Sequence, residues 1–314
     1  MRERVGERGR GGSALWWAAL QQVGGVGAGR ALRLARIFGS AEAALAAPEA
    51  ELIARGRLTP VQAAGIKHVA GSLEAVRRAL AKWRRCGIHA VAMGEAGYPD
   101  SLLDLRTPPP LLYIKGELRR DDSRAVAIVG TREPTPGAEL VAAHLARGLA
   151  ERGFTIVSGL ARGIDTAGHN GALESHRGRT IAVLGSGLLR IYPPENAALA
   201  ERIGTRGCAL AEVAPDTEVD RRLLLARDRL QAALSRAVLV IQAHPECGSV
   251  VTARHAARCG RLLLGVPWDE PPFREGWQRL AKMGAQPVDL TTDLDELAAA
   301  IDASRPRHTQ RPLL

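Results

Sequence analysis

The chain has 314 residues, of which 46% are hydrophobic, and a mean hydropathy of −0.07, so it is long enough for a sizeable core plus a small second domain. No apolar run reaches the roughly 18 residues that a membrane span requires. The four cysteines form no CxxC pair and have no histidine at zinc-ligand spacing, which excludes a zinc finger. This cysteine pattern is typical of reduced thiols in the cytoplasm. The net charge of +10 favours a polyanionic partner.

The positive charge is concentrated at the two ends of the chain. Residues 1–95 carry 15 Lys and Arg against 7 Asp and Glu, a surplus of 8, whereas residues 96–302 carry 25 against 26. Residues 1–12 are charged and rich in glycine, and residues 303–314 add three arginines without an acid. We therefore expect both ends to be disordered basic tails.

Residues 13–85 have the pattern of a small all-helical domain. Apolar residues such as Leu15, Leu32 and Phe38 recur near the helical period, and glycine or serine breaks separate the segments, which predicts four or five short helices. Residues 86–302 form the second predicted domain. Its first part, residues 86–124, is a transition or strap in which the prolines at 108–110 keep the chain extended before a strand-like run at 111–114.

Short apolar runs alternate with helical segments from residue 125 to residue 302. The runs recur every 25 to 30 residues, which is the period of βα units, and each is apolar throughout, as a strand buried on both faces requires. The candidate strands are 125–129, 154–157, 180–184, 208–211, 237–241 and 262–266, with a short one near Val288. This pattern predicts an α/β fold with a Rossmann-like, doubly wound and mostly parallel sheet, whose ligands bind at the carboxyl ends of the strands.

Two loops at that edge combine glycine, hydroxyl and arginine residues in a way that suits an anion. The first follows strand 125–129. In the second, at 158–165, Arg162 stands between two glycines at a strand-to-helix turn, where free amides favour negative charge. Asp165 is expected to cap the helix that follows. The candidate phosphate-binding residues of these loops are Gly130, Thr131, Arg132, Ser158, Gly159, Arg162 and Gly163.

Two further loops and one helix add candidates. The third loop resembles a dinucleotide fingerprint, but it ends in Arg190 and follows the third strand, which argues against a cofactor of the NAD type. The fourth opens a helix near Val250, and a predicted helix ending near Ser235 carries two arginines around Asp228. The candidates in these segments are Gly185, Gly187, Arg227, Arg229, Gly248, Ser249 and Thr252.

Several anion-suited turns on one sheet edge suit a phosphodiester chain better than a single mononucleotide. The sequence has no P-loop, no GxSxG elbow and no HExxH motif, and these loops carry no obvious pair of carboxylates. We expect His169 to be a helix-face histidine bonded to a neighbouring loop. The residues therefore predict a nucleic-acid-binding protein that is not an enzyme and uses neither a cofactor nor a metal.

Several segments resemble the DNA-processing protein A (DprA/Smf) family. SGLARGIDTAGHNGAL at 158–173 resembles the central motif of that family, and AVAIVGTR at 125–132 and TIAVLGSGLLRIYPPEN at 180–196 resemble its neighbours; the resemblance covers about residues 97–288. It implies single-stranded DNA binding without base specificity, a homodimer, and partnership with the RecA recombinase, which the protein would load during natural transformation. The family also carries a helical (helix-hairpin-helix or SAM-like) domain, and VGGVGAGR at 23–30 resembles a helix-hairpin-helix turn.

Three departures from the family pattern bear on DNA affinity. The usual Phe-Pro-x-Arg-Asn-Arg is LLARDR at 224–229, which removes an aromatic stacking platform and places Asp228 beside two arginines. Gln242 stands where an acidic residue usually ends the fifth strand. The winged-helix domain that many members carry at their C-terminus is not expected here.

The alternative hypothesis is a nucleotide-binding or nucleotide-hydrolysing protein similar to phosphoribohydrolases. Those enzymes have a PGGxGTxxE pattern with a catalytic glutamate, whereas this chain has CGSVVTARHA at 247–256, with Arg254 or His255 in place of the glutamate. A role in strand repair or plasmid handling, instead of transformation, is a further alternative that the sequence leaves open.

Overall fold

The computed structural model describes residues 12–304, which divide into two compact units. Residues 12–98 and 107–113 form the first unit, and residues 99–106 and 114–304 form the second. The predicted tails lie outside the described residues except at their inner ends, where the first helix begins at Gly12 and the last ends at Ala303. The domain boundaries proposed from the sequence, 13–85 and 86–302, stay a prediction.

The first unit contains six helices in its described residues, more than the sequence pattern predicted. They are α1 (Gly12–Gln21), α2 (Ala28–Phe38), α3 (Ala41–Ala46), α4 (Glu49–Ala54), α5 (Pro60–Gly71) and α6 (Leu73–Arg85). The alanine-rich run at 41–54 divides into two helices because Pro48, which has no amide hydrogen, stands at the start of α4. Thr59 and Gln62 form a capping box at the start of α5.

The transition segment contains two strands, β1 (Ile88–Ala92) and β2 (Leu111–Gly116). The sequence predicted β2 but missed β1, whose five residues alternate too little to be distinguished from a loop. Residues 99–106 pack within the second unit through a buried ion pair, in which Arg261 Nη2 lies 2.7 Å from Asp104 Oδ2. The same nitrogen donates to the carbonyl of Ala233 at 2.8 Å.

The second unit is built around the predicted sheet, and each predicted strand is confirmed with small shifts at its ends. The strands are β3 (Ala125–Val129), β4 (Thr155–Ser158), β5 (Arg179–Leu184), β6 (Cys208–Ala211), β7 (Ala237–Val240), β8 (Leu262–Gly265) and β9 (Gln286–Pro287). The helices are α7 (Pro136–Glu151), α8 (Ile164–Glu174), α9 (Ala197–Arg206), α10 (Arg221–Leu234), α11 (Gly248–Arg258), α12 (Phe273–Lys282) and α13 (Leu294–Ala303).

The sheet of the second unit is parallel and doubly wound. Its strands lie in the order β6-β5-β4-β3-β7-β8-β9, and β3 pairs with β4 on one side and with β7 on the other. The chain therefore winds outward from β3 to β6 and then crosses to β7, which places the topological switch point beside the carboxyl end of β3. Val129 is in register with Val240 at that end. The predicted α/β, Rossmann-like fold is confirmed.

One face of this sheet is covered by a core formed with α7, α8 and α13. Its members include Ile128, Leu145, Phe154 and Ile301, all of which are almost fully buried. Strands β3 and β7 are buried at every residue, as their continuous apolar sequences predicted. Between residues 12 and 304, no helix combines the length and apolar character that crossing a bilayer demands.

Candidate nucleic-acid interface

A cleft of about 660 Å³ opens at the switch point of the sheet, where β3 and β7 end. It receives residues from the first loop, the second loop, α10 and the loop that opens α11, so several of the predicted anion-binding turns do meet. The predicted site residues that line this cleft are Gly130, Thr131, Arg132, Arg227, Gly248, Ser249 and Thr252.

The first loop is held in place by its backbone and presents Arg132 to the solvent. The amide of Thr131 donates to the carbonyl of Gln242 at 2.7 Å, so Thr131 is nearly buried and its amide is already used. A side chain at Gly130 would overlap Ile164, so only glycine lets the start of α8 approach this turn. Arg132 is exposed at the cleft wall, where a guanidinium group can reach a phosphate.

The second loop uses most of its predicted phosphate-binding groups for its own structure. Ser158 is fully buried and its hydroxyl donates to the carbonyl of Ile128 at 2.6 Å. The amides of Gly159 and Ala161 donate to Asp165 Oδ2 at 3.0 and 3.2 Å. Ser158 and Gly159 therefore shape the loop from inside instead of lining the cleft.

Asp165 does not cap α8, contrary to the sequence-based prediction. The N-cap of α8 is Gly163, whose positive φ of 70° allows its backbone to pack against Pro134 and the carbonyl of Thr131. Asp165 lies in the first turn of the helix and turns back to bind the loop amides. Burial raises the pKa of Asp165, and the positive charge of Arg227 and the loop amides oppose that shift.

Arg162 is exposed but is paired with an acidic residue. Its guanidinium group forms an ion pair with Glu195, which lowers the pKa of Glu195 and raises that of Arg162. Arg162 does not line the main cleft; it lies in an adjoining recess that shares Arg132, Tyr192 and Arg227 with the cleft. It is therefore close to the predicted site, but a phosphate has to compete with Glu195 for it.

The two glycines of the third loop are packing residues and do not line the cleft. A side chain at Gly185 would collide with the backbone of Leu224 at the start of α10. A side chain at Gly187 would collide with the backbone at Ala214 and Pro215, and its amide donates to the carbonyl of Thr217 at 2.8 Å. Both glycines are buried and outside the cleft lining, and their assignment as nucleic-acid-binding residues stays a prediction.

The two arginines of α10 have different surroundings. Arg227 is buried, donates to the carbonyl of Val183 at 2.9 Å and lies against Gly159, where any side chain would overlap the guanidinium group. Arg229 does not line the cleft, and it pairs with Glu212. The assignment of Arg229 to the nucleic-acid site stays a prediction, and a phosphate would have to compete with Glu212 for it.

Asp228 lies at the bottom of the cleft beside Arg227. Its Oδ1 is 3.2 Å from Arg227 Nε, and both side chains are more than nine-tenths buried. Burial raises the pKa of Asp228 to about 7; Arg227 and Arg132 oppose this shift, and the neighbouring Asp165 adds to it. The carboxyl group that departs from the family pattern is therefore inside the candidate site and titrates near neutrality.

In the fourth loop, all three residues that the sequence predicted for the site line the cleft. Gly248, Ser249 and Thr252 all line the cleft at the start of α11, where free amides and the helix dipole favour an anion. Thr252 Oγ1 donates back to the carbonyl of Gly248 at 3.3 Å, and Cys247 Sγ lies 2.8 Å from Ser249 Oγ.

His169 is a structural residue with a different partner from the one expected. It is fully buried, and its Nδ1 lies 2.6 Å from Thr180 Oγ1 on β5 instead of contacting a loop. The hydroxyl of Thr180 donates to the carbonyl of Ile156, so Nδ1 carries the proton in this pair. Burial, with the charge of Arg227, lowers the pKa of His169 to about 3, which keeps the ring neutral.

The sequence reasoning missed one wall of the cleft. Tyr192, Val219, Arg221, Leu224 and Leu225 line it. Tyr192 lies within the YPPEN segment, and Arg221 follows the N-cap Asp220 of α10, so the aromatic residue and the helix start were visible signals. What the sequence did not reveal is that Val219, in the segment before α10, lies on the same wall of the cleft.

The fold and the cleft define a Rossmann-like α/β protein with an anion-suited site at the switch point of its sheet. A family model described as DNA recombination-mediator protein A matches residues 89–301, and the chain belongs to this family. It is 36% identical over 281 residues to the protein Smf of Synechocystis, covering 87% of this chain and 69% of that protein. It is 34% identical to the DNA processing protein DprA of Bacillus subtilis, covering 70% of this chain and 74% of that protein.

Solved structures agree with this assignment. The X-ray structure of DNA processing protein A from Streptococcus pneumoniae is similar with a TM-score of 0.75 and 26% identity, covering 88% of this chain and 93% of that one. A second structure, of DNA processing protein A from Helicobacter pylori, is similar with a TM-score of 0.60 and 31% identity, covering 68% and 96%. The work on the Helicobacter protein is described as giving insight into its unique single-stranded DNA binding mode.

Proposed function

We propose that this protein binds single-stranded DNA without base specificity, through the cleft at the switch point, and acts as a recombination mediator that loads RecA during natural transformation. The family assignment and the single-stranded DNA binding ascribed to the Helicobacter relative support the first part. The observation that carries it is the meeting of exposed Arg132 with the amino end of α11 in one cleft.

The chemistry of the cleft favours the phosphate chain over the bases. A guanidinium group, helix amides and the hydroxyl of Ser249 all suit phosphate oxygens, which carry no sequence information. The cleft wall that contains Tyr192 and Leu224 adds one aromatic ring and apolar side chains. A base can stack against these groups whatever its identity. A strand with exposed bases fits these surfaces better than a duplex.

We propose further that the protein is not an enzyme. The carboxylate of Asp165 is occupied by two loop amides, and the imidazole of His169 is buried away from solvent. Neither group is available for acid or base chemistry on a bound substrate, which supports a binding role.

One observation favours the second candidate, a nucleotide-hydrolysing protein. Asp228 lies in a nucleotide-sized cleft with a pKa of about 7, which is the range of a general acid or base. Release of free base from nucleoside monophosphates, abolished by Asp228→Asn, would establish this candidate in place of the binding role.

The binding proposal is tested with a fluorescent oligo-dT strand and a blunt duplex of the same length. We expect tighter binding of the single strand, with log Kd changing by about 0.7 per phosphate contact for each tenfold change in salt. Arg132→Ala should weaken binding by about tenfold or more, since a charged hydrogen bond contributes roughly 1.5–3 kcal/mol. Arg120→Ala removes an equally exposed arginine near the opposite edge of the sheet and should bind like the wild type.

Equal affinity for strand and duplex, or wild-type affinity of Arg132→Ala, would contradict this proposal. The partnership with RecA is tested by whether the protein accelerates RecA filament assembly on a strand already covered by another binding protein. The homodimer is tested by light scattering of the intact chain. The proposed partnership with RecA implies a cytoplasmic protein.

A further inference from the structure

The bottom of the cleft holds a buried cluster of three charged side chains, Asp165, Arg227 and Asp228. Asp165 comes from α8 and the other two come from α10, and each residue is less than one-tenth exposed. Arg227 interacts electrostatically with both carboxyl groups. When both acids are ionised, one guanidinium group faces two carboxylates, so this buried cluster carries one net negative charge inside a site that otherwise suits an anion.

Within the buried cluster, Asp228 is the residue that lies near the amino end of α11 and near Arg132 of the first loop. Its Oδ2 lies 3.5 Å from the position that a Cβ atom would take on Gly248, so the carboxyl group lies against the amino end of α11. The charge of Arg132 reaches it from the first loop. Glu133 from that loop, Arg221 from α10, and His244, Glu246 and Cys247 from the loop before α11 line the same cleft.

An ionised Asp228 competes with a phosphate for the same partners. The amides at the start of α11 and the guanidinium of Arg132 attract negative charge, and the carboxylate supplies that charge from within the protein. A phosphate placed beside the carboxylate would meet like-charge repulsion in a partly desolvated cleft. The balance between these effects depends on whether the carboxyl group carries its proton.

We propose that single-stranded DNA binding in this cleft is coupled to protonation of Asp228, so that the neutral carboxyl group admits the phosphate chain and the ionised one excludes it from the amino end of α11. The inference rests on the proposed function of the cleft. In the binding step one proton moves from solvent to an Asp228 oxygen, and no covalent bond of the DNA changes.

The expected size of the effect follows from one-proton linkage. Burial raises the pKa of Asp228 to about 7, so the ionised form dominates above neutrality and the neutral form below it. If only the neutral form binds the strand at this position, affinity falls about tenfold between pH 6 and pH 8. Acidification should therefore strengthen binding across the neutral range.

The test measures the affinity of the intact protein for a fluorescent oligo-dT strand from pH 5.5 to pH 8.5 at fixed ionic strength. The wild type should lose about tenfold in affinity over the two central pH units. Asp228→Asn keeps the size of the side chain without the charge, so it should bind at pH 8 as tightly as the wild type binds at pH 6. His176→Gln removes an exposed histidine that precedes β5 and does not line the cleft, so it should keep the wild-type pH dependence.

Calorimetry of the wild type in two buffers of different ionisation enthalpy measures the number of protons taken up on DNA binding without the use of a variant. At pH 7 we expect an uptake of about half a proton per bound site. Binding by Asp228→Asn that follows the wild-type pH curve, or zero proton uptake, would overturn the inference and leave the proposed function intact. Failure of all three proteins to bind the strand at any pH would instead overturn the proposed function, and this inference with it.

Discussion

At the scale of single residues, the arginines of the site differ by the partner that each already has. Arg132 is exposed on the cleft wall, Arg162 is exposed but paired with Glu195, and Arg227 is buried among carbonyls and carboxylates. A charge available to a ligand is one whose present interaction is weak. Their expected contributions to DNA binding therefore decrease in the order Arg132, Arg162, Arg227, whereas Arg227 contributes most to stability.

The pair of Arg162 and Glu195 gives a prediction at this scale. Exposed ion pairs are weak, so releasing Arg162 by Glu195→Gln should strengthen single-stranded DNA binding modestly, by about fivefold at most. The measurement is the dissociation constant for oligo-dT at moderate salt. Arg162→Ala should weaken binding, and the gain from Glu195→Gln should vanish in the Arg162→Ala background. A gain that persists in the double variant would show that Glu195 acts on the DNA directly.

At the scale of elements, the third loop controls α10 and not the ligand. Gly185 lies against the backbone of Leu224, and this contact sets the position of the helix that carries Arg227 and Asp228. Glycine is required here by close approach, since an added methyl group would meet backbone atoms that cannot turn aside. The loop therefore acts on the cleft indirectly, through the placement of α10.

We accordingly expect Gly185→Ala to lower the free energy of unfolding by about 1–3 kcal/mol, the usual cost of overpacking. Gly204→Ala is the matched control, because Gly204 lies on α9 with open space at its Cβ position, and alanine there should leave stability unchanged or raise it by about 0.5–1 kcal/mol. Chemical denaturation measures both. Equal stability of the two variants would mean that α10 shifts freely and that the contact does not fix it.

At the scale of the whole molecule, the charge surplus belongs to residues 1–95, while residues 96–302 are close to neutral. Long-range attraction of a polyanion acts on the rate of association and is screened by salt. The second unit thus contains the cleft. The basic residues among residues 1–95 are expected to supply most of the net electrostatic attraction for a polyanion.

Neutralising two exposed arginines at the end of α6 tests this division. Arg84→Gln with Arg85→Gln should slow association with oligo-dT by about two- to fivefold at low salt and leave dissociation unchanged, as expected for electrostatic steering. Stopped-flow fluorescence measures both rate constants. Arg84→Lys with Arg85→Lys keeps the charge and should behave as the wild type. An unchanged association rate in the glutamine variant would assign this charge to solubility alone.

The sequence by itself determined the architecture of the second unit. Strands buried on both faces, such as β3 and β7, leave an uninterrupted apolar signature, and their spacing permits few topologies besides a parallel, doubly wound sheet. The same reasoning located the switch-point edge and the residues of the first and fourth loops. It failed at β1 and in the helix count of the first unit, because short segments carry too few residues for a period to show.

Which of those residues line the cleft became clear from the packing of elements that are distant in sequence. Ser158 and Gly185 have the composition of an anion site, yet the hydroxyl of Ser158 donates to the carbonyl of Ile128 and Gly185 lies against the backbone of Leu224. Hydrogen-bond satisfaction and burial depend on what the fold brings next to a residue, which no local pattern records. For the same reason, Asp228 was visible as a departure from a family pattern, but its position against the amino end of α11 became clear only when α10 and α11 were packed together.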